Sequence, residues 1–271
     1  MAPTRGQEAM EFSISQTSRI GGRETNEDRS AYTRTPEALL LVVADGMGGH
    51  LHGEVAAETA IRTLAQAFGR EAMPKLDDVA GFLSASLRAA HGAIVHHALA
   101  EQLDDVPGTT CVACVIQDGM AFWAHVGDSR LYVVRGGAVI ARTRDHSLAR
   151  QLADLGDMDD AEAEMLPGRN VLYNSLGGYK GPQIELSEPI ALQPGDSLLL
   201  CSDGLWGSVA DREIAAGMSR GSLSVALARL VLEAEVRAGY DSDNVTGLAV
   251  RWGVTEKDAS PAPEGAVVTA A

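Results

Sequence analysis

Leu39-Leu40-Leu41-Val42-Val43-Ala44-Asp45-Gly46-Met47-Gly48-Gly49-His50 is the stretch whose reading decides the fold. Its six leading apolar residues, rich in Val and Leu and bounded by glycine, suit a strand buried on both faces better than a helix, which needs a longer run. Asp45 falls where that strand ends. A carboxylate there is costly unless it is paired or coordinates a cation. No Arg or Lys adjoins it; Gly46, Gly48 and Gly49 follow instead, and glycine lets backbone turn sharply and approach a ligand closely. A metal or phosphate site fits this better than a salt bridge.

The same construction recurs along the chain. Ser197-Leu198-Leu199-Leu200-Cys201-Ser202 runs into Asp203-Gly204, and Gly127-Asp128-Ser129 follows the apolar run from Met120 to Val126. Asp243-Asn244 immediately precedes the strand-like stretch from Val245 to Val250, so four carboxylates stand at strand ends. Gathering them without a cation is unfavourable, because two unit charges about 4 Å apart repel by about 4 kcal/mol at an effective dielectric of about 20. All-oxygen ligands select hard cations, magnesium or manganese, over zinc or copper.

The bounds on the whole chain agree with an enzyme-sized globular domain. The 271 residues contain no internal Pro/Ser/Gly-rich linker, which favours one domain, and the 45% hydrophobic but only 4% aromatic composition calls for an aliphatic core. A net charge of −15 argues against nucleic acid or anionic lipid as partners, and an acidic substrate would need a local positive site. No apolar run reaches the roughly 18 residues of a membrane span and Met1 to Met10 lacks a signal-peptide core, so a cytoplasmic protein is expected. Three cysteines fit a reducing compartment. Cys111 and Cys114 have redox or zinc spacing, yet they lie in one apparent strand, where residues three apart point to opposite faces; a structural role is expected.

Phe12 to Ile20 and Ser30 to Thr33 read as strands joined by the polar corner from Gly21 to Asp28. Helical periodicity follows over Glu54 to Phe68 and Val79 to Leu99. Strands resume at Thr109 to Gln117, Met120 to His125, Leu131 to Arg135 and Ala138 to Arg142, with tight Asp118-Gly119 and Gly136-Gly137 links. Those links leave no room for helical crossovers, so this is an antiparallel meander. A short helix begins near Ser147, and an acidic insertion carries Asp154, Asp157, Asp159, Asp160, Glu162 and Glu164. Strands return near Gln183 to Leu186 and Ser197 to Ser202, and Leu223 to Ala234 marks an amphipathic helix. Thr255 to Ala271 has no periodicity and is expected to be structureless.

Competing motifs are absent. There is no phosphate-binding Gly-x-x-x-x-Gly-Lys loop, no Gly-x-Gly-x-x-Gly and no Gly-x-Ser-x-Gly elbow, and Met47 stands where an aspartyl-phosphate phosphatase would need a second Asp.

The sequence resembles the metal-dependent serine/threonine protein phosphatases, the type 2C family, in their bacterial form. The resemblance runs through Arg23-x-x-Asn26-Glu27-Asp28, Val43-Ala44-Asp45-Gly46-Met47-Gly48-Gly49-His50, Gly108-Thr109-Thr110 and Val126-Gly127-Asp128-Ser129-Arg130. It continues through Asp145-His146-Ser147, Cys201-Ser202-Asp203-Gly204-Leu205 and Asp243-Asn244-x-Thr246. It implies an α+β, four-layer αββα sandwich of two antiparallel sheets flanked by helices, with an N-terminal extension over 1–11, the phosphatase domain over 12–252 and a tail over 253–271.

It also implies roles. Asp45 resembles the carboxylate bridging two Mn2+ or Mg2+ ions, with the Gly46 carbonyl on one ion and Asp203 and Asp243 on the other. Glu27 and Asp28 resemble the residues holding metal-bound waters, and Asp128 with Asp203 the pair that binds a third, weaker ion. The implied reaction is hydrolysis of phosphoserine or phosphothreonine by a metal-bridging hydroxide, without a covalent intermediate. Arg23 matches the phosphate-binding arginine, whose planar fork grips two phosphoryl oxygens. Phosphoproteins made by a Ser/Thr kinase are the implied partners, and a monomer is expected.

Two departures stand out. Met47 replaces the His of many eukaryotic relatives and cannot donate a proton to the leaving group, which leaves His50 or water as donors. Tyr173-Asn174-Ser175-Leu176-Gly177-Gly178 stands where relatives commonly show Thr-Arg-Ala-Leu-Gly. The insertion from His146 to Asn170 matches the family's flap, and its acidic residues would attract basic residues flanking a phosphorylated side chain. The alternatives are a pseudophosphatase binding module and a small-molecule phosphoesterase.

Overall fold

The computed structural model describes residues 10–47, 52–156, 166, 168, 171–256 and 264–271. The first half of the chain runs β1 (Phe12–Arg19), β2 (Asp28–Arg34), β3 (Ala38–Met47), α1 (Gly53–Glu71), α2 (Val79–Ala100), β4 (Gly108–Thr109), β5 (Cys111–Gln117), β6 (Met120–Val126), β7 (Arg130–Arg135) and β8 (Ala138–Arg142). The second half runs α3 (Leu148–Asp154), β9 (Leu176–Gly177), β10 (Glu185–Leu186), β11 (Ile190–Ala191), β12 (Ser197–Cys201), α4 (Asp203–Trp206), α5 (Asp211–Met218), α6 (Leu223–Ala238), β13 (Val245–Trp252) and β14 (Val268–Ala270).

Every strand pairing is antiparallel, and the strands form two sheets, one ordered β1-β13-β12-β7-β8 and the other β10-β6-β5-β3-β2-β14. Alternation along β3 shows how the layers arise. Leu39, Leu41 and Val43 enter a core between the sheets with Phe12, Ile14, Leu198, Leu200, Leu248 and Val250. Leu40, Val42 and Ala44 point the other way, against Ile61, Leu64, Leu83 and Leu87 of α1 and α2. On the far side Val134, Leu199 and Ala249 pack on Ile214, Leu227 and Val231 of α5 and α6. The result is the expected αββα sandwich.

Period-2 alternation also sets where the polar residues go. The inter-sheet parity of Leu39, Leu41 and Val43 continues to Asp45, that of Tyr32 back to Asp28, and that of Leu198 and Leu200 on to Ser202. One end of the inter-sheet core is therefore capped by polar groups from several strands at once.

The structure adjusts the strand limits. Asp28 is the first residue of β2 rather than the last of a loop, and β3 continues past Asp45 because Gly46 and Met47 pair with Thr109 and Gly108. Helices α4 and α5 lie where the sequence reading placed none. The structureless end expected after Thr255 does not extend to the last residues: Val268–Ala270 pairs with Tyr32 to Ser30 along the β2 edge, and Gly265 N–H donates to the Arg34 carbonyl. Cys111 and Cys114 are buried, free and on opposite faces, one in each core flanking β5, as their spacing requires. Among the described residues, no helix is long and apolar enough to cross a membrane.

Candidate active site

Arg23, Glu27, Asp45, Gly46, Asp128, Asp203 and Asp243 all line a single cavity of about 910 Å3 at the polar end of the sandwich. Asp28 is fully buried behind it as the cross-strand partner of Asp45. Met47 also faces the cavity, whereas His50 lies outside the described residues.

The Asp45 backbone is fixed from three directions. Its N–H donates to Thr110 Oγ1 at 3.0 Å, and its carbonyl accepts from Thr110 N–H at 2.8 Å and Thr109 Oγ1 at 2.9 Å. Thr110 Oγ1 also bonds Ser129 Oγ at 2.6 Å, so the Asp45 and Asp128 corners share one hydroxyl. The Asp128 carbonyl accepts from Trp206 Nε1 at 2.9 Å. Beside it, Gly127 N–H donates to His146 Nδ1 at 3.1 Å. Gly127 has φ +99°, and a side chain there would collide with Thr110, so the corner requires glycine.

Gly46 and Gly53 meet backbone to backbone. A Cβ on Gly53 would collide with the Glu27 carboxylate, so the absence of one leaves that carboxylate its place beside the cavity. Glu27 N–H donates to Asn244 Oδ1 at 2.8 Å. Asn244 in turn donates to the Ile20 and Thr25 carbonyls at 2.9 Å, which ties the Arg23 loop to the start of β13. Arg23 Nη2 donates to Asp243 Oδ2 at 2.8 Å.

Electrostatics match this crowding. Burial, then the charges of Asp28, Asp203, Asp128 and Asp243, push the Asp45 carboxyl well above its ordinary range. Burial, then Asp203 and Asp145, do the same to Asp128. Burial raises Asp28 to about 6, even though Ser202 Oγ donates to its Oδ2 at 2.6 Å. Burial, then Glu54, raises Glu27. Asp28 Oδ1 is buried without a hydrogen-bond partner among the described residues.

Sequence reasoning gave no role to Thr110, Ser202, His52 or Glu54. Ser202 was accessible from strand parity, because it continues the inward-facing Leu198 and Leu200. The contact of Glu54 with the site arises only when Gly53 packs on Gly46.

A second group, His125, His146 and Glu185, brings ligand-type atoms within 4.8 Å of one another. Two features argue against a metal there. The imidazoles stack with centroids 4.6 Å apart and planes 19° apart, whereas a metal lies in the plane of each ring that binds it. Gly127 N–H and Asn174 Nδ2 both donate to His146 Nδ1, which leaves the His146 proton on Nε2, facing Glu185.

A family model described as protein phosphatase 2C matches residues 15–232. The serine/threonine phosphatase stp of Listeria monocytogenes serovar 1/2a is 32% identical over 238 residues, which cover 87% of this chain and 93% of the Listeria protein. The solved structure of the Mycobacterium tuberculosis serine/threonine phosphatase PstP/Ppp superposes with a TM-score of 0.78 at 31% identity, covering 89% of this chain and 98% of that one. The catalytic domain of the serine threonine protein phosphatase PstP, solved in complex with 2 manganese ions, superposes with a TM-score of 0.73 at 31% identity, covering 89% of this chain and 97% of that one. With the matched residues spanning both sheets and the Asp45, Asp128 and Asp203 corners, the chain belongs to the protein phosphatase 2C family.

Proposed function

We propose that this chain is a manganese- or magnesium-dependent protein serine/threonine phosphatase that hydrolyses phosphoserine and phosphothreonine by direct transfer of the phosphoryl group to water. The observation that carries the reading is the convergence of Asp45, Asp128, Asp203 and Asp243 with Arg23 on one cavity.

The donor set fits hard divalent cations. Its oxygens belong to carboxylates that repel one another when ionised, and one of them, Asp28 Oδ1, is buried without a partner among the described residues. Asp45, the Gly46 carbonyl, Asp203 and Asp243 would hold two such ions. Glu27 and Asp28 would hold bound waters, and Asp128 with Asp203 would hold a third ion. When bound, the cations supply positive charge against the phosphoryl oxygens and make water a nucleophile near neutral pH. The two manganese ions held by the PstP catalytic domain support this assignment.

The protein's own groups do the remaining work. Arg23 reaches the cavity from its loop with its guanidinium more than half exposed, and its fork offers paired N–H donors to a phosphoryl group. Thr109, Thr110, Ser202 and Asn244 hold the acidic corners in place before substrate arrives, the preorganisation that electrostatic catalysis needs. Met47 carries no proton for the departing seryl or threonyl oxygen. Glu27, whose carboxyl burial raises above its ordinary range, lines the cavity together with His52 and Glu54.

Phosphoproteins made by a Ser/Thr kinase are the substrates this reading implies. The buried free cysteines favour a reducing, cytoplasmic setting. The test compares phosphate release from phosphoserine and phosphothreonine peptides with release from nucleotides, each with and without manganese. Manganese-dependent release from the peptides is expected, and faster turnover of nucleotides would overturn the assignment to proteins.

A further inference from the structure

A second cavity of about 540 Å3 lies beside the first and is lined by a cluster of guanidinium groups. Arg130, Arg142, Arg150, Arg212 and Arg237 line it. Among the described residues, Asp145, Asp211 and Glu213 are the carboxylates that line it with them, and Asp154 and Glu233 pair with Arg150 and Arg237 from its margin. The carboxylates serve to aim the guanidinium groups. Asp145 chelates Arg130 at 2.8 and 2.6 Å, Asp211 holds Arg142 at 2.7 Å, and Glu213 holds Arg237 at 2.7 Å. Arg142 uses only Nη1 in its bond to Asp211, and Arg212 is exposed with no ion pair among the described residues. Donors therefore remain for an incoming anion.

Two contacts join this cavity to the active site. Trp206 lines the arginine cavity, stacks under Arg130 at 3.6 Å, and donates its indole N–H to the carbonyl of Asp128, which lines the active-site cavity. Ser147 and Leu172 pair as an isolated antiparallel bridge, with Ser147 on the arginine cavity and Leu172 on the active-site cavity. A polypeptide that leaves the active site across this bridge arrives at the arginines.

We propose that the arginine cavity is a substrate subsite that binds acidic residues flanking the phosphorylated side chain. The proposal rests on the phosphatase reading and extends it to sequence preference. The overall negative charge repels acidic segments, so a local cluster of guanidinium groups is the place where such a segment gains contacts. The occupant is an acidic peptide segment rather than free phosphate, because the cavity opens beside the Ser147–Leu172 bridge, next to the cavity that would hold the phosphorylated residue.

The test uses the full chain with manganese. kcat/KM is measured at low salt for phosphothreonine peptides with Asp and Glu on the N-terminal or the C-terminal flank, for their Asn and Gln twins, and for a small aryl phosphate. For one flank the acidic peptide is expected to be turned over about 3- to 10-fold better than its twin, the ratio falling towards one as salt rises. Arg212→Glu should abolish that ratio, Arg212→Lys should retain it, and neither should alter turnover of the aryl phosphate. Equal turnover of acidic and neutral twins, a preference for basic flanks, or an unchanged ratio in Arg212→Glu would each overturn the proposal. Absence of release from every phosphopeptide would overturn the phosphatase reading as well, whereas release without the acidic preference overturns this subsite alone.

Discussion

Asp28 on β2 and Asp45 on β3 stand directly opposite each other as cross-strand partners, two carboxylates at the buried end of the inter-sheet core. Like charges in this position destabilise a sheet. The strand ladder that places Leu41 and Val43 in the core therefore also assembles an electrostatic conflict, which a divalent cation held there, as proposed above, would resolve. The residues proposed to hold the cations are therefore also ones whose ionisation costs the metal-free protein stability.

Stability should consequently depend on pH and metal together. The Asp28 and Asp45 carboxyls have folded-state values above the ordinary carboxylate range, Asp28 at about 6 and Asp45 well raised. Their contribution is fully present below the unfolded value of about 3.9 and is lost as pH rises through the folded values. Chelator-treated protein should melt at a lower temperature near pH 7.5 than near pH 5, on these two groups' account. Manganese at 100 times its Kd adds about 2.7 kcal/mol, and because its carboxyl ligands must be deprotonated to bind it, a fixed manganese concentration should raise Tm more at the higher pH. Thermal melts across that range check this; a chelated Tm that climbs from pH 5 to 7.5 would contradict it.

Asp45→Asn removes one charge from the cluster. Removing one of several buried like charges relieves the repulsion among the rest. The variant should lose nearly all turnover while the chelated protein melts no lower than chelated wild type, and manganese should raise its Tm far less. A variant that loses activity because it unfolds would show a large drop in Tm instead.

Arg23→Ala tests the phosphate contact. Losing a charge-assisted bidentate bond removes about 1.5–3 kcal/mol, or about 10- to 160-fold in kcat/KM, carried mainly by KM. Arg23→Lys should recover only part of this, because an ammonium cannot reproduce the fork. The paired measurement is manganese affinity, which should not fall, because Arg23 competes with a cation for Asp243; kcat/KM within twofold of wild type would exclude the role.

Ser202→Ala deletes the hydroxyl that donates to Asp28 at 2.6 Å and accepts from Thr246 N–H at 3.0 Å. Removing a hydrogen bond to a buried charged group destabilises by about 1.5–3 kcal/mol. Less support for the Asp28 anion should also weaken manganese binding, read by calorimetric titration. Unchanged stability and unchanged affinity together would mean that Ser202 only fills space.

Much of the site was legible because burial and chemistry conflict visibly in the sequence. Asp45 and Asp203 each follow a run of apolar residues and precede glycine, so a carboxylate at a buried strand end is evident without coordinates. The four-layer arrangement came from the family resemblance, supported by the tight glycine links of the meander. Asp28 was harder, since the turn-forming residues before it suggest that the loop includes it, and only pairing with Asp45 makes it a strand residue. Helix α4 is four residues long and carries no readable period. Strand β14 is held by docking to the β2 edge rather than by local pattern, and tertiary contacts of that kind leave no trace in composition. The arginine cavity was invisible for the same reason: its arginines span from Arg130 to Arg237, and only the fold collects them.

The most direct test of the central claim is the initial rate of phosphate release from a phosphothreonine peptide as manganese is titrated into chelator-treated wild type and Asp45→Asn. Wild type is expected to rise from a negligible baseline to saturation while Asp45→Asn stays near the baseline throughout. Full activity of the chelated wild type, or a matching saturation curve from Asp45→Asn, would contradict the account.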